Sequence, residues 1–324
     1  MRIRGRKGIF GLLLLFFACF CISAKLPGAQ TEAKSKIVKK DKTPREPENS
    51  DLRIVHTATK LASRRWIQSF TFDSKYYYYI QMTRPYCGDL RITRVKYKGL
   101  GKYNKAKMDL KGFGHATNLD CSVHNGVTYL WTGSHAKRGS DVSRGISCFR
   151  FQKNRRLRKC ADISYKIPMG GDGKYVTNVY PAISADSSKL GVRFTYDDKQ
   201  YYQIYDLVNG TQINPADPIK QVILPKTMGD FQGFDIDGSV ICTIEGSPRK
   251  SFLKSYDRRR VYQPTIIRQW DYETGKVSSR LIKGAARLSF REPEGVKLTE
   301  DKKMLIMFVS HRLVNQSCNI YEVK

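Results

Sequence analysis

His115 and Glu294 are the side chains of this sequence best suited to acid–base chemistry. An imidazole accepts a proton near neutral pH, and a carboxyl donates one once burial has raised its hold on the proton, provided both reach the same substrate. They stand far apart in the chain, so they serve as base and acid only if the fold joins them, and sequence alone assigns no catalytic residue. Gln68, Tyr180 and Gln232 occupy matching places in repeated segments and join His115 and Glu294 as a candidate ring of ligand-binding groups, with Glu245 and Glu292 as further carboxylates nearby. A second candidate set is basic: Arg84, Lys137, Arg138, Arg249, Arg258, Arg259, Arg260 and Arg312. A guanidinium presents a fork of donors that matches two phosphate oxygens at once, and the interleaved Tyr86, Phe252, Tyr256 and Tyr262 offer flat surfaces for sugar rings.

Several chemistries find no support. The chain has no nucleophile-elbow sequence, HExxH helix, phosphate-cradling glycine loop or EF-hand pattern. Cys87, Cys121, Cys148, Cys160, Cys242 and Cys318 are too scattered for a zinc cluster, so neither metal nor cofactor is expected. In an exported protein these six cysteines are compatible with bridges and equally with buried thiols.

The elements that must position these residues repeat. Residues 68–73, 115–120, 181–186, 232–237 and 294–299 share a polar or proline start followed by small and apolar residues, and an Asp closes four of the five. Their starts are 47, 66, 51 and 62 residues apart, a period that belongs to propellers and solenoids. Each is followed by a more apolar strand, at 76–83, 128–133, 189–196, 239–246 and 303–310. Third strands are expected at 90–96, 146–151, 201–207, 265–271 and 318–323, and weaker fourth strands at 106–110, 163–167, 221–224 and 278–282. The last unit lacks a fourth strand, and the isolated strand-like piece at 52–58 can supply it. The expectation is an all-β chain forming a five-bladed β-propeller closed by an N-terminal strand, which protects the edges. A two-sheet sandwich explains neither the fivefold recurrence nor the mismatched ends. No helical insert is expected.

In a four-stranded blade, the turn entering the innermost strand and the loop between the second and third strands emerge on one face of the disc. The basic candidates fall in those loops, which predicts an electropositive face around the five mouth residues.

Arg2, Arg4, Arg6 and Lys7 precede an uncharged apolar run from Ile9 to Ile22, the order of a secretory signal peptide over residues 1–24. Residues 25–50 form a flexible basic linker, and 51–324 the propeller. The whole chain carries a formal charge of +29, and loss of the four N-terminal positive charges leaves +25. Such an excess seeks polyanions. Outside the cytoplasm these are anionic cell-wall glycopolymers, acidic glycans and anionic lipid surfaces rather than nucleic acid. Membrane contact is expected only through the signal segment, if it stays uncleaved.

The stretches Trp66-Ile-Gln-Ser-Phe, Lys111-Gly-Phe-Gly-His-Ala, Thr128-Tyr-Leu-Trp-Thr, Phe231-Gln-Gly-Phe, Ile244-Glu-Gly and Arg291-Glu-Pro-Glu-Gly carry a resemblance. In this order they resemble the β-propeller of phage receptor-binding proteins, teichoic-acid-biosynthesis-protein-C-like proteins and helveticin J-type bacteriocins, over nearly all of residues 52–324. The resemblance implies a five-bladed propeller and, from its phage members, recognition of Gram-positive wall glycopolymer. The cysteines, the basic excess and Ala116 after His115 depart from the pattern and bear on the ligand more than on the fold. The functions in view are therefore a secreted or cell-surface module binding a teichoic acid-like polymer, which the resemblance extends to a helveticin J-type bacteriocin, an enzyme acting on that polymer, and a surface protein-interaction scaffold.

Overall fold

The computed structural model describes residues 50–97, 106–169, 175–225, 227, 229–250, 261–310 and 317–324. The expected signal segment and all of the linker but Ser50 lie outside the described residues. The regular elements described are strands, grouped into five sheets.

The chain begins with β1 (Leu52–Ala58) and then builds the first blade from the axis outward: β2 (Ile67–Phe72), β3 (Tyr76–Met82), β4 (Leu90–Lys96) and β5 (Ala106–Lys111). The second blade runs β6 (Leu119–His124), β7 (Val127–Ser134) and β8 (Gly145–Phe149); β9 (Arg156–Arg158) then crosses to the first blade, and β10 (Ile163–Tyr165) completes the second. The third holds β11 (Thr177–Ile183), β12 (Lys189–Tyr196), β13 (Lys199–Asp206) and β14 (Lys220–Leu224). The fourth holds β15 (Phe231–Asp237), β16 (Val240–Glu245), β17 (Ile266–Asp271) and β18 (Val277–Leu281). In the fifth, β19 (Glu292–Leu298), β20 (Met304–Val309) and β21 (Cys318–Val323) are completed by β1, which pairs antiparallel with β21 from Leu52 opposite Val323 to Ala58 opposite Cys318. The two ends of the propeller thus close one sheet, and Arg53 pairs with Glu322 across the seam.

Burial follows from this layering. Second strands are sandwiched between neighbouring blades, so β3 can be a run of four tyrosines and an isoleucine that is buried almost throughout, whereas the rim strand β18 is exposed along its length. Large side chains fill the wedges between blades: Phe70, Tyr79, Met307 and Ile320 meet where the first and fifth blades join.

Two departures from the sequence reading have local causes. The innermost strand of the second blade is Leu119–His124, not residues 115–120. Asp73 and Asp186 are hairpin residues whose carboxylates accept backbone N–H bonds from Tyr76 and Ser188, but Asp120 lies inside its strand. The hairpin there is made by Asn125-Gly126, both with positive φ (49° and 71°), the geometry of a tight turn that matches strand twist. The second departure is β9, an exposed three-residue strand pairing parallel with β5, too short to show alternation.

The six cysteines beyond the N-terminal segment are free thiols, with Cys148, Cys242 and Cys318 buried.

Candidate functional site

The pairing registers show why particular side chains reach the mouth of the central channel. In β2 the ladder skips from Ile67 to Ser69, in β15 from Phe231 to Gly233, and in β19 from Pro293 to Val296. The skipped residues include Gln68, Gln232 and Glu294. A bulge leaves one residue unpaired and re-aims its side chain. Gly233 makes this affordable: its φ is 142°, and a Cβ there would stand 3.1 Å from the Gly295 Cα of the next blade. In β11 the ladder skips from Thr177 to Tyr180, which leaves Asn178 in the left-handed region at φ 53°.

The resulting mouth cavity has a volume of about 460 Å³ and gathers Gln68, His115, Tyr180, Gln232 and Glu294 on one wall system. All five mouth residues expected from the repeat therefore meet, although His115 arrives from the loop ahead of β6 rather than from the strand. Beside them stand residues that sequence reasoning did not select as site residues: Trp66, Thr117, Asp141, Asn178, Asp230 and Phe231. Thr117 and Phe231 adjoin motif residues and were within reach of the repeat. Asp141 and Asp230 come from loops with no local pattern, and nothing in the sequence marks them.

His115 Nδ1 lies 2.8 Å from Asp141 Oδ2, which fixes the ring and leaves the other nitrogen available. The hydrogen bond from His115 outweighs burial and holds the Asp141 carboxyl below its ordinary range. Glu294 is 4% exposed and hydrogen-bonds to no described residue. Burial, and then the charge of Glu292, push its carboxyl well above the usual carboxylate range, so it holds a proton where other carboxyls have lost theirs. Gln68 and Gln232 spend their amide NH₂ groups on the carbonyls of Ile67 (3.2 Å) and Gly246 (3.0 Å), leaving the two amide oxygens as acceptors. Tyr86, 76% exposed with φ 52°, holds a strained left-handed conformation at the rim, the kind of strain that accumulates at functional sites. Phe231 and Tyr180 stack with ring centroids 6.1 Å apart, and the buried Arg193 guanidinium lies 3.9 Å from the Phe231 ring centre.

The basic candidates are placed differently. Arg84, Lys137 and Arg138 are exposed and stand outside the lining. Arg249 is exposed too, but its guanidinium donates to the carbonyl of Ala286 at 3.0 Å and so braces a loop. Arg258, Arg259, Arg260 and Arg312 lie outside the described residues. Among the described residues no Lys or Arg lines the mouth cavity, whereas Asp141, Asp230, Glu292 and Glu294 do. None of the described basic candidates therefore lies in the cavity itself. Glu245 is buried, forms an ion pair with Arg268 at 2.9 Å, and does not line the mouth.

Side chains of several blades meet below the mouth. Asn118 reaches across the axis, donating to the carbonyls of Pro181 (3.0 Å) and Phe234 (2.7 Å) and accepting from Phe234 N (3.1 Å). Beneath it, Lys297 Nζ stands 2.6 Å from Asp120 and 3.8 Å from Asp235. This triad floors a second cavity of about 740 Å³ on the opposite face, whose other charged side chains include the Arg53–Glu322 and Lys303–Asp301 pairs together with Asp73 and Glu300. The mouth is the better ligand site, since its unengaged acceptors and aromatic faces converge on one concavity. Amide and carboxyl oxygens between aromatic rings suit a polyhydroxylated ring: hydroxyls find acceptors, and C–H faces find flat apolar surface.

No known protein-family profile matches the chain. Over 287 residues it is 26% identical to the protein of Bacillus subtilis (strain 168) named "Putative major teichoic acid biosynthesis protein C", covering 82% of this chain and 61% of that protein, so the chain spans about three fifths of the relative's length. Among solved structures it is similar to the tail fiber of Staphylococcus aureus phage P68, with a TM-score of 0.55 and 17% identity over 82% of this chain and 52% of the fiber. A thermostable family-43 glycoside hydrolase aligns with a TM-score of 0.46 and 10% identity, over 79% of this chain and 89% of the hydrolase. The tail fiber shares its fold with the chain.

Proposed function

We propose that the chain is a recognition module for an anionic cell-wall glycopolymer of the teichoic acid type, and that the mouth cavity receives one unit of that polymer. The observation that carries this reading is the convergence of Gln68, His115, Tyr180, Gln232 and Glu294, from five different blades, on one cavity flanked by Trp66 and Tyr86. The basic excess supplies the long-range attraction to polymer phosphates, with Arg84, Lys137 and Arg138 outside the cavity as described contributors. The name of the Bacillus subtilis relative points to the same polymer class. On this reading residues 1–24 export the chain and 25–50 tether a propeller that works at or beyond the cell surface of a Gram-positive bacterium. A helveticin J-type antagonistic activity would be added to this binding and rests on the sequence resemblance alone.

The test is sedimentation of the purified chain with Gram-positive walls, before and after extraction of their teichoic acid, across a salt series. Binding that disappears with the polymer and weakens with salt supports the proposal. Equal binding to stripped walls contradicts it.

One observation favours a second reading, an enzyme acting on the same polymer. A protonated Glu294 beside Glu292, opposite a His115–Asp141 pair, has the ingredients of a general acid and a general base. Release of glycerol phosphate, ribitol phosphate or sugar from walls, abolished in His115→Ala and in Glu294→Gln, would establish it. Absence of turnover retires it.

A further inference from the structure

We propose that the strand crossing from the second blade to the first carries a phosphate-binding track, along which the phosphodiester backbone of the wall polymer lies on its way from the rim of the disc to the mouth. This inference rests on the polymer-binding reading and adds to it a second surface, separate from the mouth cavity.

The first observation is the charge of the crossing segment. Residues 150–159 hold Arg150, Lys153, Arg155, Arg156, Arg158 and Lys159 and no Asp or Glu, and all six basic residues are exposed. Arg156 stands 4.0 Å from Asp109, a carboxylate that Arg91 already holds at 2.7 Å. Among the described residues the other five form no ion pair. A surface that serves only solubility mixes both signs, because like charges crowded together repel. The charge is also local: the outer strands β14 and β18 carry one basic residue each, and β10 carries none.

The second observation is the way the segment is held. The first blade already has four strands, yet β9 adds a fifth, pairing parallel with β5 from Asp109 opposite Arg156 to Lys111 opposite Arg158. Alternation divides its side chains: Leu157 packs into the core between the two blades, and Arg156 and Arg158 take the other face, toward solvent. Asn154 and Lys159 bracket the strand in left-handed conformations, at φ 63° and 66°. Backbone bonds fix both, from Asn154 N to Lys107 O and from Lys159 N to Lys111 O, each at 2.7 Å. Strain of this kind at a lysine persists only where the surroundings determine the backbone. The charges are therefore displayed on a fixed ribbon, which lowers the ordering cost of binding.

The third is direction. β9 runs alongside β5, whose end leads through Gly112–Gly114 to His115 at the mouth. At the end of β9 the Lys159 carbonyl accepts from His135 N at 2.7 Å, and Ala136 N donates to Gly112 O at 3.1 Å. These bonds join the strand to the loop that holds the exposed Lys137 and Arg138 and delivers Asp141 to the mouth. A run of positive groups thus leads from Lys153 past Arg158 and Lys159 to the mouth face. Side chains on one face of a strand recur about every 6.6 Å, which suits a linear polymer with regularly spaced phosphates. The segment exposes no large apolar side chain that a bilayer would take up.

The full chain is titrated with purified poly(glycerol phosphate) wall polymer across a salt series, beside two variants of matched thermal midpoint. The rim variant is Arg150→Gln, Lys153→Gln, Arg155→Gln, Arg158→Gln. The control, Lys75→Gln, Lys220→Gln, Lys276→Gln, Lys283→Gln, removes the same charge at exposed sites elsewhere. The track predicts binding at least about tenfold weaker for the rim variant, with the slope of log affinity against log salt flatter by roughly 2–3, about 0.7 for each phosphate contact removed. The control should stay within about threefold of the parent. Equal losses in both variants would assign the effect to net charge and overturn the inference. An unchanged rim variant overturns it too, while binding by the parent leaves polymer recognition standing. If the parent binds no polymer, that reading falls, and inorganic polyphosphate decides the track by itself: binding weakened in the rim variant alone supports it, and equal or absent binding overturns it. Binding to phosphatidylglycerol vesicles that the rim variant loses, without polymer or polyphosphate binding, would give the surface to a membrane and likewise overturn the inference.

Discussion

Replacing Lys297 by Met removes the one cation of a buried triad and should cost the fold more than any comparable surface change. Lys297 Nζ is 2.6 Å from Asp120 and 3.8 Å from Asp235, and the three side chains are 5%, 5% and 1% exposed. They come from β19, β6 and β15, so the triad ties three blades at the axis. Burial alone would lower the lysine's proton affinity, but Asp120 and Asp235 hold it above the ordinary lysine range. Asp235 is pushed well above the usual carboxylate range, chiefly by burial and against the pull of Lys297. Breaking a buried pair by deleting one partner costs about 3–5 kcal/mol, because an uncompensated charge stays behind. At roughly 2–4 °C per kcal/mol for a domain of this size, the midpoint should fall by about 6–20 °C. Thermal and urea unfolding followed by circular dichroism at pH 7.5 measure this. The triple variant Asp120→Asn, Asp235→Asn, Lys297→Met, which removes the stranded charges together with the lysine, should recover most of the loss. A Lys297→Met protein within about 1 kcal/mol of the parent at pH 7.5 would refute the reasoning.

Three further outcomes follow from the mouth and the seam. Because the folded-state pKa of Glu294 is raised, the parent loses stability as pH climbs from the unfolded carboxyl value toward the folded one, and Glu294→Gln escapes that loss. The variant should match the parent near pH 4 and be more stable by roughly 1–3 kcal/mol at pH 8, as read by denaturant midpoints; an equal gap at both pH values would contradict it. Tyr86→Gly should weaken wall binding about tenfold while stability stays level or rises by about 1 kcal/mol, since glycine accepts φ 52° without strain. Leu52→Ala, at the buried start of the closing strand, should cost about 2–5 kcal/mol in chemical denaturation, whereas the same change in an unpaired tail would cost nothing.

The fivefold recurrence was legible because hairpins and strand alternation are local properties. Residues 90–96 and 318–323 were found at their observed bounds, and the closing strand at 52–58 was found from the mismatch of the two ends. The second blade slipped because Asp120 imitates a turn aspartate while serving the axial triad, and the Asn125-Gly126 turn that ends the strand was passed over. Four mouth residues were legible because they begin repeated segments, and two of them precede Gly233 and Gly295, which permit the bulges. The sign of the cavity was only half legible. Glu292 and Glu294 stood in a motif, but Asp141 and Asp230 reach the mouth through loop geometry that no spacing records. Charge counts over the loops likewise could not show that Arg249 is engaged with backbone, or that Lys137 and Arg138 stand outside the cavity.

The most direct test of the central claim is the binding isotherm of the double variant Gln68→Ala, Gln232→Ala on intact walls, beside the parent at matched thermal stability. These side chains line the mouth from the first and fourth blades, and each spends its amide NH₂ on a nearby carbonyl. An account in which the mouth receives the polymer predicts an affinity lower by about tenfold or more, from two lost hydrogen bonds. Unchanged affinity would place recognition outside the cavity and contradict it.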